Sequence, residues 1–289
     1  MVALDAAWRA ANPLPPVAEG ADKNGRGRVL LVGGARFVPG ALALTGEAVL
    51  RTGAGKLQMA TVEAVALALG VLVPEAAMIA LPMRDDGEIA PEAIAKLQDR
   101  IPRCDLLLVG PGMSPTAETG ELVTGLMALS PPALLLDAAA LTCVGLDELA
   151  EASTRMPLIL TPNGDEMARL AGCSADTVAE DPCAVVIDIA QRTGAIIALK
   201  GPETWIAAPD GTLLHYTGGC QGLGTGGSGD VLAGLIGGLV ARGAFPFVAA
   251  GWGVNVHGEA GSLASRNIGS LGFLARELLP MVPRLLDTL

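Results

Sequence analysis

The sequence predicts an α/β fold with one largely parallel central sheet flanked by helices. Runs such as Leu106-Leu107-Leu108-Val109 and Ala133-Leu134-Leu135-Leu136 are apolar at every position. A strand with one wet face would alternate, so these strands are buried on both faces. Such runs recur between longer segments of helical pattern, and that alternation builds a parallel sheet covered by helices. Glycine turns follow two of them, Gly33-Gly34 and Gly110-Pro111-Gly112, at the carboxyl ends of strands where open α/β sheets bind their ligands.

The elements follow in order. Residues 1–21 are rich in Ala and Pro and read as an N-terminal lead-in, closed by the polar run Asp22-Lys23-Asn24-Gly25-Arg26-Gly27. Short apolar runs place strands at 28–32, 56–61, 77–81, 105–109, 133–136, 158–160, 195–199, 204–207 and 213–216. Helical patterns fall between them at 41–51, 91–100, 117–129, 163–171 and 180–193. After Tyr216 the alternation stops, and helices are expected at about 230–242, 245–265 and 272–286. The 289 residues amount to one large domain or two small ones, at about 100–200 residues per domain. No linker, charged tract or fixed-period repeat divides them, so residues 22–289 are assigned to one domain.

Composition removes several classes. With 19 basic and 30 acidic residues the net charge is −11, and the pI is near 4.6. A sequence-independent nucleic-acid binder needs a basic footprint. Mean hydropathy is +0.49, yet the uncharged apolar stretches 64–74 and 231–241 are too short to span a bilayer, and 243–258 is interrupted by Pro246 and Asn255. No membrane association and no signal peptide are expected. Five cysteines without a C-x-x-C pair fit reduced thiols in a cytoplasmic protein. His215 and His257 are far apart and lie in no H-E-x-x-H or H-x-H pattern, so neither a hydrolase triad nor a histidine metal site is expected, and both read as structural.

The strongest chemical signal is Gly222-Leu223-Gly224-Thr225-Gly226-Gly227-Ser228-Gly229-Asp230, followed by a helical apolar run. A helix cap needs one Asp. Five glycines in the eight preceding residues instead let backbone N–H groups turn inward as an anion nest at the positive end of a helix. Lys200 closes another strand in Leu199-Lys200-Gly201, where an ammonium reaches a phosphate as a point charge. Arg51-Thr52-Gly53-Ala54-Gly55-Lys56 lacks the full phosphate-loop pattern and lies between a helix and a strand rather than the reverse.

Taken together, the motifs resemble one family, the ADP-dependent NAD(P)H-hydrate dehydratases of the ribokinase-like superfold. The residues that carry the resemblance are RGRVLLVGG, PGALAL, LRTGAGKLQMAT, VGPGM, LLLD, LTPNGDE, LKGPET and GTGGSGDVLAG, in that order from about Asp22 to the C-terminus. The resemblance implies a repair reaction. ADP, or ATP in some members, phosphorylates the hydroxyl of a hydrated nicotinamide ring, and phosphate then leaves to restore NADH or NADPH. It implies Asp230 as base, with the amides of Gly226, Gly227 and Gly229 stabilising the transferring phosphoryl group. Lys200, Gly201, Pro202, Glu203, Thr204, Gly226 and Gly229 would hold the nucleotide. Ala41, Gly112, Asn163 and Asp230 would face the hydrate, with Mg²⁺ carried by the nucleotide and water rather than by a protein metal site. A homotetramer and a separate NAD(P)H-hydrate epimerase are also implied, since the epimerase domain often fused ahead of this one is not in the sequence.

Three departures from the family pattern stand out. The usual T-P-H-P-G-E reads Thr161-Pro162-Asn163-Gly164-Asp165-Glu166, and the usual L-D-A-D-A-L reads Leu136-Asp137-Ala138-Ala139-Ala140-Leu141. Leu274-Ala275-Arg276 replaces a small polar A-S-D. Asparagine hydrogen-bonds but does not titrate near neutrality. Two other readings stay open at this point: a kinase that phosphorylates another small alcohol and stops there, and a nucleotide-binding protein without catalysis.

Overall fold

The computed structural model describes residues 1–17 and 20–289. Ten strands form one sheet: β1 (Val2–Ala3), β2 (Arg28–Val32), β3 (Lys56–Val62), β4 (Ala77–Leu81), β5 (Leu106–Val109), β6 (Leu134–Leu136), β7 (Leu158–Leu160), β8 (Ile196–Leu199), β9 (Thr204–Ala207) and β10 (Leu213–Tyr216). Their order is β1-β10-β9-β8-β7-β6-β5-β2-β3-β4. All pairs from β8 to β4 are parallel, while β9 is antiparallel to both β8 and β10.

The apolar runs serve both faces as expected. Leu31, Leu106, Leu108 and Leu135 point into one core, and Leu30, Val32, Leu107, Leu134 and Leu136 into the other. The first core is covered by α1 (Ala6–Ala11), α2 (Pro39–Arg51), α3 (Glu63–Leu72), α11 (Ser228–Ala241), α12 (Pro246–Asn267) and α13 (Val282–Thr288). The second is covered by α4 (Ala93–Leu97), α5 (Ala117–Ala128), α6 (Ala139–Thr142), α7 (Leu146–Ser153), α8 (Gly164–Ala171), α9 (Ala175–Glu180) and α10 (Pro182–Thr193).

Helix α11 is buried from Val231 to Ala241. It lies against α2 with almost no space between the backbones. A Cβ on Gly234 would collide with the Thr45 carbonyl, and one on Gly238 with Thr52 Oγ1. The glycines of the run after Asp230 therefore set the depth of α11, and with it the position of the loop at its N-terminus.

Several elements differ from the expected ones. The lead-in contributes β1 and α1 to the same sheet and core: Val2 and Ala3 pair with β10, and Trp8 packs against Gly251. Its residues 18 and 19 lie outside the described residues. Stretch 64–74, weighed only as a membrane span, is the helix α3, whose Leu67, Val71 and Leu72 face solvent. Among the described residues no helix is long and apolar enough to cross a membrane. The helix expected at 180–193 begins afresh at Pro182, with Asp181 capping the Ala184 amide. The one expected at 272–286 becomes two 3₁₀ turns, 275–277 and 279–281, before α13. Pro280 and Pro283 each lack the N–H that a continuous α-helix would require. The helix expected at 91–100 shrinks to the single turn and a half of α4.

Chain order reverses between β2 and β5: β3 and β4 extend the sheet one way, and β5 to β8 the other. This is the switch point at which such a sheet opens a crevice beyond its carboxyl ends. Gly33 and Gly34 end β2 and Gly110 to Gly112 follow β5, joined by the Gly34 amide donating to the Pro111 carbonyl at 2.7 Å.

Candidate active site

The loop before α11 is built to leave donors unused. Gly227 is the N-cap residue at φ +88°, and no side chain caps the helix. The Ser228 amide donates to the Thr225 carbonyl at 3.2 Å, whereas the amides of Gly226, Gly227, Gly229 and Asp230 have no acceptor among the described residues. Open amides at the positive end of a fourteen-residue helix form an anion site. The glycines are not equivalent. A Cβ on Gly227 would collide with Leu44 Cδ1, while one on Gly226 meets nothing within 4 Å. Gly227→Ala is therefore expected to cost about 1–3 kcal/mol of stability and to impair turnover, while Gly226→Ala folds like wild type. Urea titration of the two variants checks this, and equal midpoints would refute it.

Lys200 anchors the other wall. Its backbone N–H donates to the Pro162 carbonyl at 2.7 Å, which ties the end of β8 to the loop after β7. Its ammonium lies 2.8 Å from Asp137 Oδ1 and 3.9 Å from Glu166 Oε2. Asp137, which is only 2% exposed, also accepts from Thr161 Oγ1 at 2.7 Å. Burial pulls the Lys200 pKa down, but Asp137 and Glu166 outweigh it and the net shift is upward. Lys200 is thus a fixed cation. Ala138, next to Asp137, holds φ +50° and ψ −129°, a strained conformation for a residue with a Cβ, at the point where β6 delivers its carboxylate.

Asp230 stands in the first turn of α11. Burial, with lesser repulsion from Asp137 and Glu166 against attraction from Lys200, pushes its carboxyl up to about 7. Burial likewise raises Glu166. A carboxylate poised near neutrality is a stronger base than an ordinary one and remains substantially ionised at pH 7.

At this helix terminus lies a cavity of about 810 Å³ whose wall includes Asn163, Lys200, Gly201, Pro202, Thr204, Ser228 and Gly229. Toward the switch point the chain is closely packed. A Cβ on Gly112 would sit 3.2 Å from Ala41 Cβ, and Leu44, on the next turn of α2, touches Gly227. Ala41, Gly112, Gly226, Gly227 and Asp230 do not line the cavity.

The side chain of Glu203, expected to hold the nucleotide, points away from the cavity. Strand parity is the reason. Thr204 and its cross-strand partner Tyr216 face the cavity. Trp205 and His215 form the next pair, stacked at 3.8 Å on the opposite side, and Glu203 Oε2 lies 2.6 Å from His215 Nε2. His257, read as structural, lines the cavity and lies 3.0 Å from Ser228 Oγ. Burial takes it down to about 4, so it is neutral at pH 7. Residues 51–56 lie at the amino end of β3, away from the site.

The profile of the NAD(P)H-hydrate dehydratase family matches residues 29–284. The chain belongs to that family. Among relatives, the ADP-dependent (S)-NAD(P)H-hydrate dehydratase of Xanthomonas campestris is 44% identical, over 99% of this chain and 96% of its own length. A bifunctional NAD(P)H-hydrate repair enzyme from Moorella thermoacetica is 36% identical, and the match spans 54% of that longer protein. The ADP/ATP-dependent NAD(P)H-hydrate dehydratase of Bacillus subtilis, co-crystallised with ATP and Mg²⁺, superposes with a TM-score of 0.85 at 28% identity, covering 99% and 98% of the two chains. Structures at lower identity, such as Thermotoga maritima ribokinase (15%, TM-score 0.58), share the ribokinase-like fold.

Asn163, which departs from the family motif, lines the cavity. It caps α8: its Oδ1 accepts from the Glu166 amide at 2.9 Å, and Glu166 Oε2 accepts from the Asn163 amide at 2.8 Å. The reciprocal pair is a capping box. It commits the side-chain oxygen to the helix and leaves the amide NH₂ as the group for a ligand. A second departure, Ala139, is buried at the start of α6.

Proposed function

We propose that this chain is an ADP- or ATP-dependent NAD(P)H-hydrate dehydratase. The observation that carries the proposal is Asp230, a buried carboxylate in the first turn of the open-amide helix and within electrostatic reach of Lys200, held near pKa 7. Asp230 takes the proton of the hydrate hydroxyl as that oxygen attacks the terminal phosphoryl group. The bond from phosphorus to the nucleotide breaks as the new one forms, and AMP (or ADP) leaves. Loss of the phosphate ester, with a ring proton, restores the dihydronicotinamide. The amides of Gly226, Gly227 and Gly229 and the Lys200 ammonium meet the charge that spreads over the phosphoryl oxygens. Lys200, Gly201, Pro202 and Thr204 bind the nucleotide in the cavity. Ala41, Gly112 and the Asn163 amide receive the hydrate.

Among the described residues no three His, Cys, Asp or Glu side chains gather as a metal cage. That donor set suits Mg²⁺ carried on the polyphosphate, since Mg²⁺ keeps several waters and takes one or two carboxylates. Glu166 and Asp230 are the carboxylates available to its hydration shell. Bound there, the ion neutralises phosphate charge. The reading extends to a homotetramer working in the cytoplasm beside a separate epimerase for the other hydrate epimer. All five cysteines are unpaired, in keeping with a reducing compartment.

The test is recovery of 340 nm absorbance from chemically hydrated NADH with Mg²⁺ and either ADP or ATP. Nucleotide-dependent recovery, with release of phosphate, is expected. Protein that binds ADP by calorimetry yet restores no absorbance would instead be a kinase for another alcohol.

A further inference from the structure

A dinucleotide hydrate is far larger than the ring that reacts, and the Gly112–Ala41 region accounts only for the reacting end. Shortly before Ala41, the β2–α2 connection carries Arg36, Phe37 and Val38 at the carboxyl end of β2, beside the switch point, and all three are exposed. The Val38 carbonyl would lie 2.6 Å from a Cβ on Gly112, so this segment borders the residue to which the dehydratase reading assigns the hydrate. Phe37 is 78% exposed. The Arg36 guanidinium sits 5.5 Å from the centre of its ring. In a chain of net charge −11, Arg36 has neither a carboxylate within 4.0 Å nor a side-chain hydrogen bond among the described residues.

The backbone of the segment is held while its side chains are left open. The Arg36 amide donates to the Gly87 carbonyl at 2.9 Å, and Val38 N–H to the Ala35 carbonyl at 3.1 Å. Gly87, at φ +91°, lets its loop pass beneath, since a Cβ there would come within 2.9 Å of Arg36 Cβ. A fixed strip that presents one flat ring and one unpaired guanidinium matches two chemical features of the substrate beyond its reacting ring, a second base and the phosphates that join the halves. Aromatic faces bind bases by stacking, and guanidinium binds phosphate.

Resting on the dehydratase reading, we propose that Arg36 and Phe37 form the subsite for the distal half of the dinucleotide hydrate. Phe37 stacks on the adenine and Arg36 pairs with a phosphate. That phosphate is either the pyrophosphate, common to both hydrates, or the 2′-phosphate found only on hydrated NADPH.

The experiment compares hydrated NADH, hydrated NADPH and hydrated nicotinamide mononucleotide (reduced form), which lacks the distal half, as substrates of wild type, Phe37→Ala and Arg36→Gln. Both side chains are exposed, so the variants are expected to melt with wild type. Phe37→Ala should lower kcat/KM for both dinucleotide hydrates about tenfold, within the range that base–aromatic stacking contributes. The loss should fall on KM, with kcat and the mononucleotide unaffected. Arg36→Gln should weaken both dinucleotides equally if it pairs with the pyrophosphate, or hydrated NADPH alone if it pairs with the 2′-phosphate. Equal losses on the mononucleotide, or no loss on any substrate, would overturn the subsite while the dehydratase reading stands. A wild type that converts none of the three removes both.

Discussion

Asp230→Asn is expected to abolish hydrate turnover while leaving the protein better folded than wild type. Removing a general base lowers rates by about 10²–10⁴-fold, and here the same carboxylate stands in the first turn of α11, beside its open amides. Binding of ADP should survive, because the amides of Gly226, Gly227 and Gly229 and the Lys200 ammonium are untouched and one negative charge near the phosphates is gone. The stability gain follows from the titration. Burial raises the folded carboxyl from its ordinary value of 3.8 to about 7, so between those pH values the folded protein holds a proton that the unfolded chain has lost. Stability therefore falls as pH rises through that window. Asn cannot ionise, so the variant should match wild type below pH 4 and exceed it at pH 8. The difference is on the order of 1–3 kcal/mol once partial exposure to solvent is allowed for. Urea titrations at pH 4 and pH 8 measure this. A variant less stable than wild type at pH 8 would mean that the carboxylate is not strained by its surroundings. The same titration sets the rate profile of wild type. Its kcat/KM should rise with pH through an apparent pKa near 7, and an acid limb below pH 5 would exclude Asp230 as the base.

How much of this was legible in the sequence depends on how far apart the cooperating residues lie. The doubly buried strands were, because a run such as Leu106 to Val109 has one reading that needs no partner. The anion loop was, because five glycines and a carboxylate fall within nine consecutive residues. The Asp137–Thr161–Lys200 cluster was not. Its members are separated by 24 and 39 positions, and only the adjacency of β6, β7 and β8 brings them together. The same holds for His257, which reaches Ser228 across the α11–α12 turn. A count of strand parity from Thr204 would have turned the Glu203 side chain away from the cavity without any coordinates. Helix α3 lacked a period because Leu67, Val71 and Leu72 are apolar on its wet face, so the pattern that reveals an amphipathic helix was never present.

Lys200→Met is the second large effect, and it separates the structural role of that lysine from its role toward nucleotide. With Lys200 gone, Asp137 remains 2% exposed with Thr161 Oγ1 as its one remaining side-chain donor among the described residues. Breaking a buried pair from one side costs about 3–5 kcal/mol, because the stranded charge is what is paid for. Met retains most of the volume of the lysine stem, so a cavity does not confuse the measurement. Removing both charges, Lys200→Met with Asp137→Asn, should return most of the lost stability, since no unpaired charge is left. Nucleotide affinity should not return, because the cation beside Gly229 is absent in both proteins. The pH dependence follows from the lysine. Its folded pKa lies above the ordinary lysine value of 10.5, so the contribution is complete below that value and is lost only as pH rises through the higher folded one. The gap between wild type and Lys200→Met should therefore stay constant from pH 7 to 9 and narrow in strong alkali. If the double variant were as unstable as the single one, the ion pair would not be what holds the ends of β6 and β8 together. If it regained ADP binding as well, the amides of the α11 terminus alone would hold the phosphates.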